Sequence, residues 1–142
     1  KTTAVEIGQA ILDMSTRLSA LVSGAGTGGT IMGCQRHLSR LWKETKFLLT
    51  MPAEDAASHG IQGINDGDDF LVDKKIIDEE LLVSTEDAKQ RACRLAKENG
   101  LLVGISSGAN VLAAERWIEK NNPEGVVVTF LCDRGERYLS CM

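Results

Sequence analysis

A glycine-rich turn is the first segment whose residue types suit chemistry. Residues 23–30 read Ser-Gly-Ala-Gly-Thr-Gly-Gly-Thr and stand between an apolar run and a helical pattern. Glycines permit positive φ and leave space for a ligand, and the first N–H groups of a helix carry a partial positive charge. Thr27 and Thr30 add hydroxyl donors. The turn therefore predicts a phosphate site, although a strand-to-helix turn without a ligand has the same pattern.

A second polar segment is expected beside this turn. Residues 104–110 read Gly-Ile-Ser-Ser-Gly-Ala-Asn and follow a predicted strand at residues 101–105. Because the carboxyl ends of parallel strands meet at one edge of a sheet, one ligand can contact both segments. Taken alone, Ser106 or Ser107 is typical of a helix N-cap. Beside a phosphate site, a hydroxyl here can also bond a polar ring atom of a phosphate-bearing cofactor.

The glycine turn also fits a second ligand class. Gly24, Gly26 and Gly29 satisfy the G-x-G-x-x-G pattern of dinucleotide-binding domains. That pattern expects an acid at the end of the second strand to bind the ribose, whereas Glu54 follows Pro52 inside a loop. A dinucleotide-binding domain is therefore a weaker alternative. A non-catalytic module that binds a phosphate ligand or a protein partner is another.

Other chemistry-bearing residues predict neither a metal site nor a nucleic-acid surface. The cysteines have no C-x-x-C spacing and no nearby histidine pair, which fits free thiols in a reducing cytoplasm; they are Cys34, Cys93, Cys132 and Cys141. Sixteen basic against twenty acidic residues give a net charge of −4, without the basic footprint of a nucleic-acid binder. No apolar run approaches the roughly 20 residues of a membrane span.

Alternating strands and helices must position these segments. Strands are predicted at residues 19–23, 47–49, 101–105 and 126–131, the last of them buried. One helix is predicted to begin at a capping box formed by Thr3 and Glu6, and its apolar stripe extends to Leu18. Further helices are predicted over residues 31–41, from Ser84 to Gly100, and around residues 111–118. Residues 52–80 are irregular and rich in Gly, Asp and Asn, which is typical of a functional loop or lid.

This order of elements predicts the α/β class, with a mainly parallel sheet and helices on both faces. A hydrophobic content of 43% and a charged content of 25% are those of a globular protein. The 142 residues match one domain, residues 1–142.

Four blocks of sequence occur in an order that resembles a known family. They are Gly-Thr-Gly-Gly-Thr at 26–30, Gly-Ile-Gln-Gly-Ile at 60–64, Gly-Ile-Ser-Ser-Gly-Ala at 104–109 and Asp-Arg-Gly-Glu-Arg-Tyr-Leu-Ser at 133–140. The family is that of the cysteine synthases (O-acetylserine sulfhydrylases), which are fold type II pyridoxal-phosphate enzymes. The resemblance implies the large cofactor-binding domain of that fold, and it corresponds to the C-terminal portion of a two-domain family chain.

The resemblance assigns roles to individual residues. Five of them would hold the phosphate of pyridoxal 5'-phosphate: Gly26, Thr27, Gly28, Gly29 and Thr30. Ser106 would face the pyridine nitrogen, and Gly63 would line the mouth of the substrate pocket. A neutral hydroxyl at the ring nitrogen makes the ring a weaker electron sink than a carboxylate does, which suits β-replacement. The implied reaction converts O-acetylserine and sulfide to cysteine and acetate.

The resemblance also marks parts that the matched region lacks. The family's Schiff-base lysine and its loop for the substrate carboxylate lie N-terminal to this region, so we expect no catalytic residue and no activity from these 142 residues alone. Asp66, Asp68 and Asp69 replace a small apolar stretch of the family and would repel an anionic sulfur donor. The sulfur donor and the amino-acid substrate therefore stay open. The implied partners of a full-length protein are a second copy, as a homodimer, and serine acetyltransferase.

Overall fold

A parallel β-sheet forms the centre of the molecule. The computed structural model describes residues 2–55, 60–61 and 71–138. Within them the strands are β1 (Leu18–Gly24), β2 (Lys46–Pro52), β3 (Glu79–Val83) and β4 (Val126–Thr129). They pair in the order β3-β2-β1-β4, and every pair is parallel. The register places Gly24 of β1 beside Thr50 of β2, so the two strands end at the same edge.

Helices cover both faces of this sheet. They are α1 (Thr3–Asp13), α2 (Gly29–Leu41), α3 (Thr85–Asn99) and α4 (Ile105–Asn121), with single 3₁₀ turns at Lys74–Ile76 and Gly135–Tyr138. On one face, α3 and α4 pack against Ala20, Val22 and Leu48. On the other, α1 and α2 pack against Leu21 and Leu49. Because β1 and β2 are buried on both faces, their sequences are nearly continuous apolar runs. The predicted α/β class is confirmed.

Helix α3 begins and ends as the sequence predicts. The Ser84 hydroxyl accepts a hydrogen bond from the Asp87 backbone N–H at 3.1 Å, which is an N-cap. Gly100 has φ 69°, and its N–H donates to the Ala96 carbonyl, which is the left-handed end common after helices. Both signals come from residues at the helix ends themselves, so the sequence alone predicts them.

The predicted strand at residues 101–105 is wrong. Helix α4 already begins at Ile105, and only Val103 makes an isolated antiparallel bridge, to Arg134. Leu101 and Leu102 are 43% and 40% exposed. The physical reason is that α3 and α4 pack directly against each other on one face of the sheet, so the segment that joins them never enters the sheet. A bidentate ion pair between Arg91 and Glu115, at 2.6 and 2.8 Å, ties the two helices.

Strand β3 lies where the sequence predicted only irregular structure. The irregular segment was expected over residues 52–80, but Glu79–Val83 pairs with β2. As an edge strand, β3 has one neighbour among the described strands, and its side chains alternate between partly buried and exposed until the buried Val83. Its Glu-Glu-Leu-Leu-Val sequence therefore lacks the apolar run of a central strand. Residues 56–59 and 62–70 of the predicted loop lie outside the described residues.

Two further boundaries differ from the predictions. Thr2, not Thr3, is the N-cap of α1 and makes no side-chain cap, so the capping box with Glu6 is wrong. Helix α1 ends at Asp13, Met14 is 64% exposed, and Leu18 belongs to β1. Strand β4 ends at Thr129 and is only half-buried, whereas a buried strand over 126–131 was expected. Its exposure follows from its position at the sheet edge, where β1 is its only described neighbour.

Candidate functional site: the glycine turn and the start of α4

The glycine turn connects the carboxyl end of β1 to the first turn of α2. Gly28 is the N-cap of α2 with φ 91°, a left-handed conformation that favours glycine. Among the described residues, no side chain caps α2 there, so the first N–H groups of the helix have no side-chain acceptor. Gly28 has no β-carbon that could block the approach of a ligand to them. Thr27, Gly29 and Thr30 are exposed. The predicted strand–turn–helix context of these residues is confirmed.

The segment that begins at residue 71 holds the turn from one side. The Leu71 backbone N–H donates to the Thr27 carbonyl at 2.7 Å. Val72, which is 8% exposed, packs against the α-carbon of Gly28. In contrast, the Thr27 hydroxyl, at 3.9 Å, is the only atom of the described residues that a β-carbon at Gly29 would meet. Val72 therefore fixes one side of the turn, and the described residues leave space beside Gly29.

The start of α4 presents two buried serines. Ser106 is 6% exposed and Ser107 is fully buried. The N-cap of α4 is Gly104, so the interpretation of either serine as the N-cap is wrong. Instead, the Ser107 hydroxyl accepts a hydrogen bond from the Cys132 backbone N–H at 2.9 Å. Both serines lie in the first turn of the helix, where they extend from the backbone into the packed interior.

Asp133 packs against this same helix start. The Gly104 backbone N–H donates to the Asp133 carbonyl at 3.2 Å. The Asp133 carboxylate occupies the space that a β-carbon on Gly104 would need. A carboxylate at a helix N-terminus interacts favourably with the helix dipole. The Asp133 side chain can take this position because residue 104 carries no side chain.

Asn110 joins the two segments. Its side chain is fully buried, and its Oδ1 accepts a hydrogen bond from the Gly24 backbone N–H at 2.7 Å. Its Nδ2 donates to the Phe130 carbonyl at 3.1 Å. The second turn of α4 therefore lies against the carboxyl end of β1, where the glycine turn starts. The structure thus brings the glycine turn and the Ser106 segment to one edge, although the strand from which that proximity was predicted does not exist.

The Cys132 thiol lies beside Ser106 and Asn110. Its Sγ is 3.5 Å from Asn110 Nδ2 and within hydrogen-bonding reach of the Ser106 hydroxyl. Cys132 follows the end of β4 and is exposed as a residue. Its thiol nevertheless turns inward, and desolvation there raises its pKa. A raised pKa favours the neutral thiol over the nucleophilic thiolate.

The site fits a phosphate ester with a ring. The uncapped N–H groups at the start of α2 and the exposed hydroxyls of Thr27 and Thr30 are the donors that a phosphate requires. Ser106 supplies a neutral hydroxyl at the same edge of the sheet. Pyridoxal phosphate contains both groups, a phosphate and a pyridine nitrogen. Gly63, the predicted residue of the substrate pocket, lies outside the described residues.

The acid required for dinucleotide binding is engaged elsewhere. Glu54 Oε1 accepts a hydrogen bond from the Thr85 backbone N–H at 2.7 Å, at the first residue of α3. This carboxylate therefore satisfies a helix N-terminus. It is not the ribose acceptor that the dinucleotide pattern requires at the end of β2.

A cavity lies at the opposite edge of the sheet, away from the glycine turn. It measures about 570 Å³ and is lined near the starts of β1 and β2 by Arg17, Trp42, Lys43 and Trp117, among others. It contains neither the glycine turn nor Ser106. Within the described part of the chain, no group of three His, Cys, Asp or Glu side chains could hold a metal ion. Over the same residues, no helix has both the length and the apolar character to cross a membrane.

Asn110 is the residue that sequence reasoning missed most clearly. Asn110 belongs to the 104–110 segment, but the sequence pattern assigns no function to its side chain. A usable signal was present, because Asn110 is a polar residue between Ala109 and Val111, on a helix whose neighbouring positions are apolar. Buried polar side chains are nearly always paired. Its partner Gly24 is 86 positions away, however, and the sequence pattern does not identify such a pair.

Comparison with known proteins decides the family. The family described as "Pyridoxal-phosphate dependent enzyme" matches residues 1–133. The chain belongs to this family. Cysteine synthase B of Campylobacter jejuni is 42% identical, over 99% of this chain and 48% of the relative. The resemblance to cysteine synthases is therefore confirmed, and the cofactor of the family is pyridoxal phosphate.

Solved structures of the family share the fold. O-acetylserine sulfhydrylase isoform 3 of Entamoeba histolytica matches with a TM-score of 0.86 and 36% identity, over 97% of this chain and 43% of that chain. A hydrogen sulfide-producing enzyme of Fusobacterium nucleatum matches with a TM-score of 0.87 and 32% identity, over 97% and 44%. The chain spans about half the length of the family members that it matches.

Proposed function

We propose that this chain is the cofactor-holding portion of a cysteine synthase-like enzyme that replaces the acetate of O-acetylserine with sulfide to give cysteine. The juxtaposition of the glycine turn and Ser106, fixed by the bond from Gly24 to Asn110, carries the proposal. It brings donors that suit a phosphate and the neutral Ser106 hydroxyl to one edge of one sheet, which supports the proposal. The cysteine synthases among the relatives support the same reaction class.

The glycine turn would bind the cofactor phosphate through Gly26, Thr27, Gly28, Gly29 and Thr30. The helix dipole of α2 favours an anion at this position, and the glycine at the N-cap lets the anion approach the backbone closely. The Val72 and Leu71 contacts hold the turn in place before the ligand arrives. A fixed site loses less conformational entropy on binding than a mobile one does.

Ser106 would orient the cofactor ring. Pyridoxal phosphate, when bound, supplies an electron sink for bond cleavage at the carbons of an amino-acid substrate. The Ser106 hydroxyl is neutral and can donate to the pyridine nitrogen without stabilising a proton on it. Ser106 is buried, at 6% exposure, so its hydroxyl would meet the ring in a site that holds little water. Such a contact suits a replacement reaction in which the leaving group departs readily.

The 142 residues alone are proposed to lack activity, because none of their lysines stands in the context of the family's Schiff-base lysine. The test incubates the purified chain with pyridoxal phosphate, O-acetylserine and sulfide and measures cysteine, for which we expect none. A fusion of this chain to the other half of C. jejuni cysteine synthase B should then form cysteine. Cysteine production by the 142-residue chain itself would show that the proposed lack of activity is wrong.

Ligand binding tests the cradle independently of turnover. The chain should bind pyridoxal phosphate, inorganic phosphate should compete with it, and NAD should not bind. Binding of both phosphate ligands together with an inactive but folded fusion would favour a non-catalytic phosphate-binding module. NAD binding that phosphate displaces would favour the dinucleotide alternative. If none of the three ligands binds, the proposed cradle is wrong.

The identity of the substrates is a separate part of the proposal. One solved structure that the chain matches is named a hydrogen sulfide-producing enzyme, which differs from the net synthesis of cysteine. The active fusion should therefore be assayed in both directions, for cysteine from O-acetylserine and for sulfide released from cysteine. Faster synthesis than release supports the cysteine synthase reaction. A homodimer and a complex with serine acetyltransferase are proposed for the full-length protein, and gel filtration tests both.

A further inference from the structure

The Asn110 carboxamide occupies a site with little freedom. The side chain is fully buried, and both of its polar atoms bond to backbone: Oδ1 to the N–H of Gly24 at 2.7 Å and Nδ2 to the carbonyl of Phe130 at 3.1 Å. An unpaired polar group at such a site is strongly unfavourable. The two bonds therefore fix the side chain, and through it they fix the two backbone segments.

These two segments flank the proposed cofactor site. Gly24 is the last residue of β1 and lies within the glycine turn. Phe130 follows β4 and leads into Cys132, whose N–H donates to Ser107 at 2.9 Å. Ser106 lies one helical turn before Asn110 on α4. One side chain thus sets the spacing between the phosphate-binding turn and the hydroxyl that faces the ring.

We propose that Asn110 is a positioning residue for the cofactor. It acts through Gly24 and Phe130 and holds the glycine turn at the distance from Ser106 that a phosphate and its ring require. This inference rests on the proposed function for its ligand, but the contacts that carry it are those of the protein alone. Loss of the carboxamide leaves the Gly24 N–H without its acceptor and lets the turn move relative to α4.

A purely structural role makes a different prediction, and Thr45 provides the matched control. The Thr45 side chain is buried, and its hydroxyl donates to the Leu18 carbonyl at 2.9 Å. Like Asn110, it joins a side chain to the backbone of β1, but at the opposite end of the strand. T45A and N110A each remove one such anchor. Only N110A should affect the cofactor site beyond its effect on stability.

Hydrogen exchange of the ligand-free chain is the first measurement. N110A should accelerate exchange at the hydrogen-bonded amides of Gly24 and Leu71, the latter bonded to the Thr27 carbonyl, by about tenfold or more relative to wild type, the factor that corresponds to about 1.4 kcal/mol. T45A should leave exchange at those residues unchanged. N110D keeps an acceptor for the Gly24 N–H but sets a carboxylate oxygen against the Phe130 carbonyl, so it should protect Gly24 better than N110A does and lose stability. N110S removes the carboxamide without introducing a charge and provides a second variant if N110A does not fold.

Affinity for pyridoxal phosphate and for inorganic phosphate is the second measurement. N110A should raise the Kd for pyridoxal phosphate by about tenfold, since a buried donor is left unpaired, and T45A by less than about twofold. Equal effects of the two variants on exchange at Gly24 and Leu71 would show that Asn110 is only a structural residue. So would a fall in thermal stability without a change in Kd. If wild type binds neither ligand, the proposed function fails, and the exchange data alone decide the role of Asn110.

Discussion

Val72 occupies the space in which Gly28 would carry a β-carbon. Its Cγ2 lies so close to the Gly28 α-carbon that any side chain at position 28 would overlap it. Gly28 also has φ 91°, which L-residues rarely adopt. Two independent constraints, one steric and one conformational, therefore require glycine at the N-cap of α2. The chain at residues 71–72 and the phosphate-binding turn are consequently fitted to each other.

Substitution of this glycine should damage the site directly. We expect G28A to weaken the binding of pyridoxal phosphate by about tenfold, because a turn that shifts to relieve the overlap moves the first N–H groups of α2. The free energy of unfolding should fall by about 1–3 kcal/mol. Titration by absorbance and urea denaturation measure the two effects. The double variant G28A/V72A should recover part of the stability, since it relieves the overlap but not the strain in φ.

Gly33 provides the matched control for that substitution. It lies in α2 beyond the first turn, and a β-carbon there would meet no atom of the described residues within 4 Å. G33A should raise the free energy of unfolding by about 0.5–1 kcal/mol, because alanine stabilises a helix interior. The affinity for pyridoxal phosphate should not change. Equal effects of G28A and G33A on affinity would contradict a specific role for position 28.

Gly108 should be as intolerant as Gly28, but for a different reason. A β-carbon at Gly108 would overlap the Ala88 carbonyl and lie 2.9 Å from the Ala92 backbone nitrogen, so α3 and α4 would have to separate. We expect G108A to lower the free energy of unfolding by about 1–3 kcal/mol, as overpacking does. Urea denaturation beside G33A measures this value. A stabilising G108A would mean that the two helices do not pack at this distance.

The elements that the sequence predicts correctly are those with local causes. β1 and β2 are continuous apolar runs, α3 has the Ser84 cap, and Gly100 ends that helix, so each is specified by its own residues. The segment 101–105 is also apolar and short, but it joins two helices that pack on each other. Only tertiary packing distinguishes such a link from a strand. The predicted alternation of strands and helices is wrong in this part of the chain for that reason.

The site was predictable in its parts but not in its assembly. The glycine turn and Ser106 have recognisable types and neighbours, and each was named from the sequence. The contact that brings them together is the bond from Gly24 to Asn110, and no local pattern encodes a pair so distant in sequence. The same applies to Val72, which packs on Gly28 from a segment that the sequence predicted only as an irregular loop.

The Cys132 thiol should titrate above its ordinary range. Desolvation raises its pKa, and the bonds from Ser106 and Asn110 offset this only in part. Because a raised pKa keeps the thiol neutral, its alkylation by iodoacetamide should reach half of its maximal rate at a higher pH in the folded chain than in urea. The pH midpoint separates ionisation from access to the thiol. A folded-state midpoint equal to or below that of the unfolded chain would contradict this prediction.

Ser106 and Ser107 should respond to substitution in opposite ways. Ser107 accepts the Cys132 backbone N–H and is fully buried, so S107A leaves that donor unpaired and should lower the free energy of unfolding by about 1–3 kcal/mol. The folded S107A protein should still show the absorbance spectrum of bound pyridoxal phosphate that wild type shows. S106A should lose less stability. In the described structure the Ser106 hydroxyl bonds to the Cys132 thiol, and a thiol is a weak hydrogen-bonding partner.

The S106A variant should instead change the bound cofactor. Loss of the ring-facing hydroxyl should shift the absorbance maximum of bound pyridoxal phosphate and raise its Kd by about tenfold, whereas the Kd of inorganic phosphate should not change. The difference between the two ligands isolates the contact with the ring from the contact with the phosphate. If S106A weakens both ligands equally, Ser106 supports the fold of the turn and does not face the ring. An unchanged spectrum and Kd would remove Ser106 from the site, because a hydroxyl on the pyridine nitrogen cannot be lost without altering the absorbance.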